Sequence, residues 1–90
     1  MREAANRYLV YPEVDCETLY FYDEPMYDAT FGMRRIGVRA TRKPPGHIVT
    51  YDNDAWGTTP DSLQWTVPAD ADIHQFLFDR LEQLNWPKRP

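Results

Sequence analysis

Short stretches of alternating apolar and polar residues constrain the fold of this chain more than any other feature. ETLYFYD (17–23), RRIGVRAT (34–41) and LQWTVP (63–68) each place apolar residues at every second position. Successive side chains of a β-strand point to opposite faces, so this period of two indicates strands with two different sides. A proline ends or closely follows each stretch, which predicts short strands joined by turns.

Two further segments complete the predicted sheet. NRYLVYP is rich in aromatic and β-branched residues and predicts a first strand at about 7–11, which ends at Pro12 because proline cannot donate to a ladder. HIVTYD (47–52) predicts the hairpin partner of 34–41. Pro45–Gly46 between them favours a type II turn, in which proline presets the first central angle and glycine takes the positive one.

The C-terminal segment PADADIHQFLFDRLEQLNWP predicts a single helix. Asp70 is the expected N-cap, Asp72 lies in the first turn where the helix dipole favours an acid, and the helix stops before Pro87. Phe78 and Trp86 lie off the apolar stripe, so we expect them to cover a flank or to reach a partner. The stripe consists of Ile73, Phe76, Leu77, Leu81 and Leu84.

These elements predict an α+β fold, with an antiparallel sheet of four to five strands and one C-terminal helix packed on one face. Ninety residues form a single domain over 1–90, with frayed ends at about 1–5 and 87–90. The residues predicted to face the helix are Leu19, Phe21, Ile36, Val38, Leu63, Trp65 and Val67. Those predicted to lie on the open face are Tyr20, Tyr22, Arg35, Arg39, Thr41, Gln64 and Thr66.

Charge is distributed in blocks along the chain. Residues 33–50 hold five basic side chains and no acid, whereas 1–32 carry a net charge of −5 and 51–90 a net charge of −4. The acids interleaved with tyrosines in ETLYFYDEPMYD suit a basic partner, because carboxylates steer association and tyrosine adds contact area. The alternative is an acidic, proline-containing edge that discourages aggregation.

The sequence carries no signature of catalysis, metal binding or a cofactor. Cys16 could pair with His47 or His74 in nucleophilic catalysis, but no local motif surrounds it, and we expect a half-buried thiol acting as a small hydrophobe. Asp70, Asp72 and His74 are better explained as residues of a helix start than as metal ligands. We therefore predict a protein that is not an enzyme and has no cofactor and no metal.

The sequence also predicts a cytoplasmic location. A single cysteine cannot form an internal disulfide, which fits a reducing compartment. No apolar run is long enough for a signal peptide or a membrane span, so no membrane association is expected.

A protein-binding function is the leading hypothesis from these observations. The concrete version is a small inhibitor or immunity-type factor, such as a phage-encoded anti-CRISPR protein acting in the host cytoplasm. It would block a basic site, including one that holds nucleic acid, on a larger protein. The candidate partner-binding residues are Tyr20, Tyr22, Asp23, Glu24, Tyr27, Asp28 and Trp56.

The alternative hypothesis is a nucleic-acid or nucleotide-binding module on a Tyr/Arg face of the sheet, because guanidinium groups attract phosphates and tyrosine rings stack on bases. The candidate residues are Arg35, Arg39, Arg42 and Lys43. Direct nucleic-acid contact is less favoured, since the acidic total repels a polyanion and the basic hairpin can pair internally with the acidic strand. A homodimer that packs Phe78 and Trp86 against a second copy is the remaining alternative.

Overall fold

A computed structural model describes residues 6–23, 34–53 and 62–90 of the chain. Its elements are β1 (Tyr11–Asp15), β2 (Thr18–Tyr22), β3 (Arg35–Arg42), β4 (Pro45–Asp52), β5 (Ser62–Pro68) and α1 (Ile73–Gln83). The strands form one antiparallel sheet in the order β1-β2-β3-β4-β5, so each strand pairs with its neighbours in the chain. The predicted α+β fold, with five strands and a C-terminal helix, is confirmed.

The first strand lies further along the chain than predicted. Tyr8, expected inside a strand at 7–11, makes an isolated bridge with Lys88 instead, and β1 begins at Tyr11. Pro12 was expected to end the strand, but it lies within β1 opposite Phe21. β1 is an edge strand, and an edge strand accommodates proline where the missing N–H would face away from the ladder.

Two tight turns close the hairpins at the same end of the sheet. Cys16 and Glu17 connect β1 to β2, with Cys16 exposed at a φ of 56°. A positive φ is typical of a two-residue hairpin loop, and the expectation of a half-buried thiol is wrong. Lys43 and Pro44, joined by a cis peptide bond, form the turn between β3 and β4. The type II turn predicted at Pro45–Gly46 is also wrong, because these two residues begin β4.

Gly46 is still required at its position. Its φ is 155°, and a Cβ atom there would collide with the carbonyl oxygen of Val67 on the adjacent strand. Glycine lets β4 and β5 approach at the point where they begin to pair.

The helix begins two residues later than predicted. Asp72, and not Asp70, is the N-cap, and its carboxylate accepts hydrogen bonds from the backbone N–H groups of His74 at 3.0 Å and Gln75 at 3.2 Å. Asp72 therefore satisfies donors that the first helical turn leaves without intrahelical partners. Leu77 and Leu81, one turn apart on the predicted stripe, are the buried residues of the helix.

The core lies between α1 and the middle of the sheet. Its buried residues are Tyr8, Ile36, Val49, Tyr51, Val67, Leu77, Leu81 and Trp86. Most come from β3, β4, β5 and α1, and the remaining two lie outside the strands and the helix. Burying each large apolar side chain contributes about 1.5–3 kcal/mol.

Tyr8 and Trp86 seal one flank of this core. The indole N–H of Trp86 donates to the carbonyl oxygen of Leu9 at 2.7 Å, and the Tyr8 ring meets the edge of Phe78 at 5.7 Å. The alternative of a homodimer assumed that Phe78 and Trp86 are exposed. Trp86 is fully buried, so the surface predicted for that homodimer is wrong. The expectation that these two residues cover a flank describes them correctly.

The C-terminal segment is tied to the start of the described chain. Leu9 donates its backbone N–H to the carbonyl oxygen of Pro87, and Arg89 donates to that of Arg7, both at 2.9 Å. Residues 87–89 are thus paired with residues 7–9, and the fraying expected at 87–90 stays a prediction. The predicted fraying at 1–5 lies outside the described residues.

The strand registers place the predicted residues on the predicted faces. Leu19 pairs with Val38 and Phe21 with Ile36 on the side of α1, while Tyr20 and its neighbours lie on the opposite side, here called the far face. The coverage of the helix side is incomplete at both edges of the sheet. Leu19 is 36% exposed and Leu63 is 47% exposed, although both lie on the side predicted to face the helix. The helix is too narrow to cover all five strands.

Candidate functional site

The far face carries a cluster of aromatic and basic side chains around Tyr20. Tyr20 lies opposite Gly37 on β3, which in turn lies opposite Thr50 on β4. A Cβ atom at Gly37 would lie 2.9 Å from the Tyr20 ring and 2.7 Å from the Thr50 hydroxyl oxygen. Glycine at this position therefore lets the Tyr20 ring lie close against the neighbouring strand.

Arg35 packs on the same ring. Its guanidinium carbon lies 4.5 Å from the centre of the Tyr20 ring, and the Tyr22 ring lies 6.2 Å from that of Tyr20 at an angle of 44°. A guanidinium over an aromatic face is attracted by the negative potential of the ring. The predicted grouping of Tyr20, Tyr22 and Arg35 on one face of the sheet is thus present as direct contacts.

The charge of Arg35 is already paired within the protein. Its Nε donates to Oδ2 of Asp52 at 2.7 Å, and the hydroxyl of Ser62 donates to Oδ1 of the same carboxylate at 2.6 Å. Burial alone lowers the pKa of Arg35. The hydrogen bond with Asp52, then the hydrogen bond with Tyr22, and after these the charges of Asp52 and Tyr20 together outweigh burial and raise the pKa above its ordinary value. Arg35 is therefore less available to a phosphate group than the sequence suggested.

Two of the predicted partner-binding residues are largely withdrawn from solvent. Tyr22 lies on the far face but is only 4% exposed, so the expectation that it lies on an open surface is wrong. The side chain of Asp23 is 10% exposed and accepts from Arg34 twice, from the backbone N–H at 2.9 Å and from Nε at 3.0 Å. Both residues stabilise the sheet end in this arrangement.

Arg34 joins the sheet to the end of the helix. Besides Asp23, its guanidinium donates to the carbonyl oxygens of Leu84 at 2.8 Å and Asn85 at 3.3 Å, and it stacks on the Trp86 ring at 5.0 Å. A cation at a helix C-terminus interacts favourably with the helix dipole and satisfies carbonyls that have no intrahelical donor. This role was not predicted from the sequence.

The hairpin of β1 and β2 carries the exposed acids of this region. Glu13, Asp15 and Glu17 are exposed and have no ion-pair partner within 6–23, 34–53 and 62–90. Glu13 pairs with Tyr20 across the strands, and Tyr11 pairs with Tyr22. Glu13 and Asp15 therefore share the far face with the tyrosines, whereas Glu17 lies in the turn. We call Glu13, Asp15 and Glu17 the hairpin acids.

Tyr11 and Glu13 were missed as site residues because the first strand was placed too early. The signal was present in the sequence, since Tyr11, Glu13 and Asp15 alternate with Pro12 and Val14. An alternation that extends through proline is compatible with an edge strand.

A shallow hollow lies beside the Tyr20 ring on the far face. Its volume is about 140 Å³, and Arg39 lies at one side of it. Within the described part of the chain Arg39 has no carboxylate partner and is exposed. The hollow is lined by Thr18, Tyr20, Gly37, Arg39, Ile48, Thr50 and Gln64. It offers one cation, an aromatic edge and several hydroxyl or amide groups.

The remaining predicted site residues lie apart from this cluster. Arg42 and Lys43 are exposed near and in the β3–β4 turn, and the alternation of β3 directs Arg42 to the side opposite Arg39. The other predicted partner-binding residues, Glu24, Tyr27, Asp28 and Trp56, lie outside the described residues.

Two further observations on the described segments concern metal binding and membrane spanning. Nowhere in these segments do three His, Cys, Asp or Glu side chains come together in a group that could hold a metal ion. Their one helix of several turns is also too short and too polar to cross a bilayer.

Comparison of the chain with protein-family models, with curated proteins and with solved structures found no match.

Proposed function

We propose that this protein acts by binding a basic surface of a larger protein through its β1–β2 hairpin, without chemistry of its own. The observation that carries the proposal is the contrast between its acids. Asp23 and Asp52 are paired with arginines, whereas the hairpin acids are exposed and lack such partners among the described residues. Unpaired carboxylates on an exposed hairpin attract a cationic partner and accelerate its association.

Tyr20 is the proposed contact residue next to these acids. Its ring is held by Gly37 and Arg35, so little side-chain freedom remains to be lost on binding. Tyrosine also supplies a large contact area and a hydroxyl group that can still form a hydrogen bond. Val14, 69% exposed on the other side of the same hairpin, would add apolar contact.

The more specific form of the proposal is an inhibitor that competes with nucleic acid for the basic site of its target. Three carboxylates without an intervening base, at Glu13, Asp15 and Glu17, give the hairpin a net charge of −3. Such a row presents negative charge to a site that normally accepts phosphates. An immunity-type or anti-defence role, including that of an anti-CRISPR protein in a phage-infected cytoplasm, is one setting for this activity.

The test reverses the charge of the hairpin and compares it with a matched control. Glu13→Lys combined with Asp15→Lys changes two exposed far-face acids, and Asp70→Lys combined with Asp79→Lys makes the same change of charge at two exposed acids elsewhere. Each protein is immobilised and exposed to nuclease-treated cell lysate at low and high salt, and the retained proteins are identified by mass spectrometry. We expect a basic protein to be retained by the wild type and the control and to be lost, by about tenfold or more, in the hairpin variant.

Retention of the same protein by the hairpin variant would refute the proposed surface. Both variants must show the wild-type circular dichroism spectrum and unfold within about 0.5 kcal/mol of the wild type, as expected for exposed substitutions.

The nucleic-acid-binding alternative is supported by a different observation, the exposed Arg39 beside the Tyr20 hollow. It predicts that Arg39→Glu combined with Lys43→Glu abolishes binding of a fluorescent single-stranded oligonucleotide, and that Glu13→Lys combined with Asp15→Lys strengthens it. An oligonucleotide that fails to bind the wild type at low salt removes this alternative.

A further inference from the structure

The two edges of the sheet have opposite chemical character. β1 carries Pro12 and the acids Glu13 and Asp15, which are features that discourage another strand from pairing. β5 reads SLQWTVP and holds no charged residue over its seven positions. Its outer side has no strand partner among the described residues, and Ser62, Gln64 and Thr66 are exposed. Among the described residues, β5 is thus the edge that is open to pairing.

The direction of each backbone group on β5 follows from one hydrogen bond and the registers. Asp23 donates its N–H to the carbonyl oxygen of Arg34 at 3.2 Å, which marks a hydrogen-bonded pair next to β2 and β3. Bonded and non-bonded pairs alternate along an antiparallel ladder. When this alternation is continued through the registers to β4 and β5, the backbone N–H and C=O groups of Leu63, Trp65 and Val67 are hydrogen-bonded to β4. It directs the N–H and C=O groups of Ser62, Gln64 and Thr66 outward.

The prolines at the two edges agree with this assignment. The same alternation turns the backbone nitrogens of Pro12 on β1 and Pro68 on β5 away from the sheet. Neither strand therefore loses a ladder hydrogen bond to its proline. On β1 the outward groups belong to Pro12 and Val14, so Val14 supplies the only outward N–H of that strand.

We propose that β5 pairs antiparallel with β5 of a second copy of this chain, about a two-fold axis that passes beside Gln64. The outward groups are self-complementary about this position. Gln64 pairs with the partner's Gln64, and Ser62 pairs with the partner's Thr66. By symmetry Thr66 pairs with the partner's Ser62, which completes the ladder. The interface gains up to about six backbone hydrogen bonds and extends the sheet through both copies.

The side chains of β5 match this register on both faces. On the helix side Leu63, 47% exposed, comes to lie opposite the partner's Trp65. Trp65 is half-buried and is already held by Phe76 at 6.2 Å and Arg80 at 5.6 Å, so it offers a preformed apolar wall. Aromatic residues opposite aliphatic ones are favourable cross-strand pairs.

Charge explains why a copy of the same chain fits this edge. Each chain has a net charge of −4, so two copies repel each other at most surfaces. Pairing through β5 places only Ser, Thr, Gln, Leu and Trp side chains opposite one another, and no like charges meet within the ladder. The proposed protein-binding hairpin lies at the opposite edge of each sheet and remains free, so the dimer does not depend on that function.

Hydrogen exchange of the wild-type amides tests this inference without any substitution. In the dimer the Gln64 and Thr66 amides are bonded across the interface, whereas Val14, the outward amide of β1, remains exposed to water. We expect the Gln64 and Thr66 amides to exchange at least about tenfold more slowly at high than at low protein concentration. Val14 should exchange at the same rapid rate at both. Rapid exchange of all three amides at every concentration would overturn the proposal.

Sedimentation equilibrium with paired proline variants tests the same interface independently. Gln64→Pro removes the central outward donor of β5, and Val14→Pro is the matched control, because it removes the outward donor of β1. We expect a dimer for the wild type and Val14→Pro and a monomer for Gln64→Pro, all with the same circular dichroism spectrum. A wild-type monomer at high concentration, or a Gln64→Pro dimer, contradicts the proposal.

Discussion

The charged residues at the two ends of the sheet differ in whether they have ion-pair partners. At the end where β2 meets β3 near Asp23, Arg34 and Arg35 are both paired with carboxylates and packed on aromatic rings. We call this the closed end. At the other end lie the two hairpin turns, and there Glu17 and Lys43 are exposed and have no ion-pair partner among the described residues. We call this the hairpin end.

This difference separates residues that stabilise the fold from residues that are available for binding. A charge held by a neighbour of opposite sign and by hydrogen bonds is costly to remove, because its partner is left buried and unpaired. An exposed, unpaired charge adds little to stability and can be changed freely. The charged residues of the closed end therefore contribute to stability, and the hairpin end offers the charges that a partner would meet.

The largest predicted effect is at Arg34, in the closed end. Arg34→Ala removes the ion pair with Asp23, the donors to the carbonyl oxygens of Leu84 and Asn85, and the packing on Trp86. We expect a loss of about 3 kcal/mol in the free energy of unfolding. Urea denaturation followed by tryptophan fluorescence measures it.

The matched control for this substitution is Arg39→Ala. Arg39 is exposed on the same strand and lacks a carboxylate partner in the described part of the chain, so its removal should change stability by less than about 0.5 kcal/mol. Equal losses of unfolding free energy in the two variants would show that the two ends do not differ in their contribution to stability.

The separation of these arginines marks the limit of what the sequence predicts. Alternation placed Tyr20, Arg35 and Arg39 on one face correctly, because every second side chain of a strand shares a face. Whether each arginine is paired depends on which carboxylate the fold brings beside it. Asp52 reaches Arg35 only through the register of β3 and β4, which the sequence pattern does not specify.

The errors in the predicted elements have a common physical origin. In each case the local sequence signal is compatible with two positions for the end of the strand or helix. Pro12 was interpreted as the end of a strand, but at a sheet edge proline can lie inside one. Asp70 and Asp72 are equally good N-cap residues by type, and only the backbone geometry distinguishes them. The backbone hydrogen bonds between the C-terminal tail and residues 7–9 have no signal in the sequence.

A second prediction concerns Gly37, midway between the two ends on the far face. Gly37→Ala places a methyl group 2.7 Å from the Thr50 hydroxyl oxygen and 2.9 Å from the Tyr20 ring, so the ring must move off the strand. We expect a loss of about 2 kcal/mol, as for other overpacked positions. Thermal unfolding measures the loss. A Gly37→Ala protein as stable as the wild type would show that the position of the Tyr20 ring is not held by packing.

A third prediction concerns Asp72, a carboxylate that supports the fold as the N-cap of the helix. Asp72→Ala removes the acceptor for the N–H groups of His74 and Gln75 and should cost about 1 kcal/mol. Asp70→Ala, two residues away, is the matched control and should have no measurable effect. Chemical denaturation of both variants distinguishes them, and the reverse order would place the helix start at Asp70.

The smallest predicted effect concerns Tyr8, which is buried under the helix and whose hydroxyl group has no hydrogen-bond partner among the described residues. Tyr8→Phe removes an unsatisfied polar group while keeping the ring that packs on Phe78, so we expect a protein as stable as the wild type or about 1 kcal/mol more stable. Burial, and then the charge of Glu82, raise the pKa of Tyr8 above its ordinary value of 10.0, and the neighbouring Arg7 offsets this shift only in part. The neutral hydroxyl is thus favoured in the folded state.

Because an unfolded tyrosine ionises at lower pH than the folded Tyr8, the contribution of Tyr8 to stability is complete below pH 10 and is lost as the pH rises further. The stability advantage of Tyr8→Phe over the wild type should therefore grow between pH 8 and about pH 11 in paired urea titrations. A constant difference across this range would mean that the hydroxyl ionises equally easily in both states, and that water reaches Tyr8 in the folded protein.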